Sequence, residues 1–126
     1  MRQMDERRKF KRIKVSFVVF YRVNSPLIVR MLIGDKEISA VALDLCEDGM
    51  AILTDYEIPT SAIVTVKFII VNDTAVRNED RFRSVKIEGE VRYNTLTTER
   101  AYRLGIHFID ISADERNFVA NFIKMS

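Results

Sequence analysis

What most constrains this chain is a succession of short segments that alternate apolar and polar residues, joined only by turns and polar stretches. Val15 to Val23 is rich in β-branched and aromatic residues and stops at Asn24-Ser25-Pro26. Leu27 to Ile33 reads as a second apolar strand, ended by Gly34-Asp35-Lys36. Glu37 to Leu45 and Met50 to Thr54 flank a turn, and Ile63 to Val71 follows with Val64, Val66 and Phe68 on one face. Asn72 to Asp80 is polar and reads as the most mobile loop. In Arg83 to Asn94, residues Val85, Ile87, Val91 and Tyr93 are placed inward; Tyr102, Leu104, Ile106 and Phe108 repeat the pattern. The end changes period. Ser112-Ala113-Asp114-Glu115 is a capping box, and Phe118, Val119, Phe122 and Ile123 make one helical stripe.

Strands linked by turns cannot form parallel crossovers, which need a connection of a dozen or more residues. The fold class expected is therefore mostly β: a six- to seven-stranded antiparallel barrel with one C-terminal α-helix at about 112–125. With 126 residues there is room for one core. The division expected is a basic N-terminal arm over residues 1–13 and a barrel with its helix over 14–126. No apolar run approaches the roughly 20 residues of a membrane span, and no signal peptide is legible at the start.

The single Cys46 excludes an intramolecular disulfide framework and a cysteine-based zinc site, and suits a reducing cytoplasm. The single His107 argues against a histidine triad or a multi-histidine metal site. No catalytic residue, no metal ligand set and no cofactor emerge, so an enzyme is not expected.

The net charge of +2 conceals an asymmetry. Residues 1–14 hold seven basic side chains against Asp5 and Glu6, whereas the other 112 residues hold 13 basic and 16 acidic groups. Such an arm is either a solvated tail or an attractor of polyanions. Within it, Arg8 and Arg12 are spaced so that two guanidinium groups can close on one ligand, pairing with phosphate oxygens or with the O6/N7 edge of guanine. A second constellation is Asp44-Leu45-Cys46-Glu47-Asp48-Gly49. An ionised Asp44 accepts from donors such as the N1–H and amine of guanine. Gly49 permits positive φ or close approach of a ligand to the backbone. Each constellation taken alone also reads as an ordinary basic start and an ordinary Asp/Gly turn.

Together, R-x-x-x-R at Arg8 and Arg12 and D-x-x-x-x-G at Asp44 and Gly49 resemble the PilZ domain, over roughly residues 6 to 124. Arg103-Leu104-Gly105-Ile106-His107-Phe108 is similar to that family's last strand. The resemblance implies a barrel of six antiparallel strands with a C-terminal helix, and a receptor for the bacterial second messenger cyclic di-GMP. It places Arg8 and Arg12 on the ligand's phosphates and guanine edges, often those of an intercalated ligand dimer. Asp44 is placed on a guanine edge and Gly49 in the turn. Arg7, with Lys9 and Lys11, would add auxiliary charge.

One position departs from the family pattern: Cys46 stands where serine is usual. A thiol is the weaker donor, and losing one neutral hydrogen bond is worth about 0.5–1.5 kcal/mol. On the receptor reading the arm orders over the ligand and signals to a separate, unidentified protein. On the alternative, the Cys46 change marks a degenerate PilZ-like interaction module that binds no nucleotide. A nucleic-acid-binding barrel ranks last, because the body's balance of −3 opposes a basic groove, and neither DNA nor RNA is expected. A homodimer stays open. Cys46 as a nucleophile, Asp44 with Asp48 as a cation site, His107 as a ligand, and Tyr21, Tyr93 and Phe108 as a stacking platform all rank below structural roles.

Overall fold

Six strands form in chain order: β1 (Ile13–Ser25), β2 (Ile38–Cys46), β3 (Gly49–Thr54), β4 (Ile63–Val71), β5 (Phe82–Leu96) and β6 (Tyr102–Asp110). A short helix α1 (Leu27–Leu32) joins β1 to β2, and helix α2 (Ala113–Lys124) follows β6. The computed structural model describes residues 10–71 and 82–126. Most of the arm, including Arg7 and Arg8, and the expected loop at Asn72 to Asp80 lie outside them.

Every neighbouring strand pair is antiparallel, and the strands close in the order β1-β2-β3-β6-β5-β4. Closure turns the period-2 pattern into an inside and an outside. Val64, Val66, Phe68 and Ile70 of β4 point inward against Val85, Ile87 and Val91 of β5 and Leu104, Ile106 and Phe108 of β6. Tyr21 is wholly buried among them because its hydroxyl has a partner, the Thr54 hydroxyl at 2.6 Å.

The capping box forms as expected. Ser112 Oγ accepts from the Glu115 amide at 3.1 Å, and the Glu115 carboxylate in turn accepts from the Lys86 amide at 3.0 Å. The same residue therefore starts α2 and ties it to β5. Val119 and Ile123 enter the core, and the Arg83 guanidinium lies 5.3 Å from the centre of the Phe118 ring.

Leu27 to Ile33 corrects the sequence expectation, since most of this run is helical. Six apolar residues and one arginine are too few for periodicity to separate strand from helix. Pro26 decides it: its carbonyl accepts from the Val29 and Arg30 amides at 3.1 and 3.2 Å, opening a helical turn. Gly34 at φ 91° then stops the helix. No residue of α1 is fully buried; only Val29 leans on the core, while Leu27, Ile28, Met31 and Leu32 are exposed. Strand β1 starts at Ile13, the last residue of the expected arm.

Candidate functional site

Asp44 is the centre of the site, and a bulge places it there. The β2–β3 register shifts between Ala42 and Asp44, which breaks the alternation of β2 and re-aims the side chain. Asp44 Oδ1 accepts from Arg12 Nη1 at 2.5 Å and from the Ala51 amide at 3.0 Å; Oδ2 accepts from Arg103 Nη2 at 3.0 Å. The carboxylate, only 7% exposed, thus reaches across β3 to a strand two positions away. Burying a charge this deeply is tolerated because guanidinium donors and one backbone donor satisfy it.

The hairpin after Asp44 is equally tight. Cys46 pairs with Gly49 around Glu47-Asp48, and the Asp48 carbonyl accepts from the Phe108 amide at 2.8 Å. Gly49 does not have positive φ, and it is required by packing: a Cβ there would sit 2.5 Å from the Ile106 carbonyl oxygen of β6. Cys46 is 2% exposed, and its Sγ–H donates to Asp48 Oδ1 at 2.9 Å. Burial, reinforced by that hydrogen bond, pushes its pKa up to about 11. A thiol so protonated at neutral pH is a poor nucleophile, in line with a structural role.

Beside this hairpin a shallow cleft of about 150 Å³ opens, bounded by Arg12, Asp48, Gly49, Arg92, Tyr93 and His107. Arg12 and Gly49 line it, while Asp44 and Cys46, both buried, do not. Tyr93 corrects the sequence expectation of an inward side chain. The β5–β6 register shifts between Val91 and Tyr93, so Tyr93 emerges 41% exposed, with its ring lying where a Gly105 side chain would go. Tyr21 and Phe108 are core residues, and His107 is half-buried at the cleft edge.

Two participants escaped sequence reasoning. Arg103 alternates with the inward Tyr102 and Leu104, which gives its outer face but not its partner 59 residues away. Arg92 lines the cleft next to Tyr93 and donates through Nε to Glu90 at 2.8 Å. Among the described residues, no cluster of three His, Cys, Asp or Glu side chains is placed to hold a metal ion, and no helix is long and apolar enough to cross a membrane.

A closed six-stranded barrel with a C-terminal helix, and an arginine-aspartate-glycine constellation at one hairpin, define a class. The chain belongs to the PilZ domain family, whose model matches residues 6–124. Among solved structures it resembles the Bacillus subtilis inhibitor of motility MotI/DgrA, with a TM-score of 0.71 at 14% identity, covering 94% of this chain and 50% of that one. The chain thus spans about half the length of that relative. It also resembles the PilZ domain of CeSA from a cellulose-synthesising bacterium, with a TM-score of 0.60 at 10% identity over 91% of this chain and 96% of that one. A third similar structure is the PilZ domain of Escherichia coli YcgR with cyclic di-GMP, with a TM-score of 0.57 at 12% identity over 94% and 90% of the two chains. No curated protein matches the chain.

Proposed function

We propose that this chain is a receptor domain for cyclic di-GMP, non-enzymatic, cytoplasmic and acting through a separate partner protein. The observation that carries the reading is the meeting of the two motifs. Arg12 and Asp44, 32 residues apart in the chain, form an ion pair at the edge of the cleft that Gly49 lines. Family membership and the YcgR structure with cyclic di-GMP support the same ligand.

On this reading Arg12 rests on Asp44 until ligand phosphates compete for it. Arg8 and Arg12 then take phosphate oxygens and guanine edges, Asp44 accepts from a guanine edge, and Arg7 adds charge. The arm of residues 1–13 orders against the barrel and presents a surface to the partner. Calorimetric titration with cyclic di-GMP at moderate salt tests this. The expected result is micromolar or tighter binding that Arg12→Ala weakens at least tenfold; no heat at several temperatures sinks the receptor reading.

One observation favours the second reading, a PilZ-like interaction module without nucleotide. The buried Cys46 thiol does not line the cleft and already donates to Asp48, so it has no free donor for a ligand. If the native chain is silent and Cys46→Ser binds, that one atom is what separates the two readings.

A further inference from the structure

Arg12 and Arg103 hold the same carboxylate from very different footings. Arg12 precedes β1, outside any strand ladder. Arg103 sits inside β6, paired with Leu53 on one side and Thr95 on the other. Its side chain is pinned twice, with Nη2 3.0 Å from Asp44 Oδ2 and Nε 3.4 Å from the Tyr93 hydroxyl. Taking the ligand's identity from the receptor reading, we infer that Arg103 is the positioning residue that keeps Asp44 aligned as an acceptor when Arg12 leaves it for the ligand.

The chemistry requires such a residue. A carboxylate this buried, deprived of Arg12 and with no other cation to hold it, would turn toward solvent and lose its alignment with a guanine edge. Arg103 removes that choice, because its strand cannot follow the arm. It also links the carboxylate to the exposed Tyr93 ring, so the acceptor and one wall of the cleft are set by a single planar guanidinium.

Hydrogen exchange at the Ala51 amide reads this without ligand, since that amide donates to Asp44 Oδ1. Exchange is taken relative to the Ile52 amide on the same strand, so that a loss of global stability moves both. In the full chain, Arg12→Ala is expected to leave the ratio within about twofold, and Arg103→Ala to raise it about tenfold. Arg103→Lys is expected to act in the same direction, and it decides the matter should the alanine variant not fold. Cyclic di-GMP affinity should fall about tenfold in the Arg103 variants. An equal change for Arg12→Ala and Arg103→Ala, or none for Arg103→Ala and Arg103→Lys, overturns the assignment. A native chain that shows no binding overturns the receptor reading alone, because the exchange ratio still decides what holds Asp44.

Discussion

Two buried acids of the uncharged kind, Cys46 and Tyr21, set how this protein responds to alkali. Burial comes first for both: the Cys46 thiol rises from 9.0 to about 11, and the Tyr21 phenol from 10.0 to about 12. Each group's folded value exceeds its unfolded one, so the folded state holds its proton more tightly. The associated stability is complete below pH 9 and is lost as pH rises through each folded value. We expect unfolding free energy by urea titration to fall by about 2–3 kcal/mol on Cys46's account between pH 9 and 11. Cys46→Ala should flatten that part of the profile; an unchanged slope refutes it. At this scale the site was half legible in the sequence. Arg12, Asp44 and Gly49 declare themselves by residue type and spacing, whereas Arg103 joins them through a contact that only strand order creates.

Among the elements, the β2–β3 hairpin packs closely on β6, and Gly49 shows how closely. A methyl group there would meet the Ile106 carbonyl, part of a strand ladder that cannot give way. Gly49→Ala is expected to cost about 1–3 kcal/mol in chemical denaturation. Gly105→Ala is the instructive contrast, because the atoms in its way belong to the partly exposed Tyr93 ring, which can swing out. It should disturb the cleft more than the midpoint of unfolding, and a larger stability loss than for Gly49→Ala would contradict this account. The bulges explain where the sequence was silent. Period-2 reading assigns faces correctly along β4 and most of β6, then fails at Tyr93, because an inserted residue reverses the phase without leaving a compositional mark. The Leu27 to Ile33 segment fails differently, its six apolar residues and Arg30 being ambiguous until the Pro26 carbonyl is seen to accept the first helical amides.

For the whole molecule, the barrel and α2 make one core. Ile123 is 3% exposed, and Ile123→Ala should destabilise by about 2–5 kcal/mol, whereas Leu32→Glu on the exposed face of α1 should stay within about 0.5 kcal/mol. Thermal unfolding in which the two variants shift alike would mean that α2 is not part of the cooperative unit. That unity was the most legible feature of all, because alternation, turn spacing and a capped terminal stripe each point to a closed sheet plugged by one helix. Closure also restricts the company this protein can keep. Among the described residues every strand has two neighbours, so no strand there offers a wholly open edge for an extended peptide to extend the sheet. Closure leaves only short stretches unpaired, since β1 meets β4 over Phe20 to Ser25, and so shortens the edge templates on which amyloid-like stacking begins.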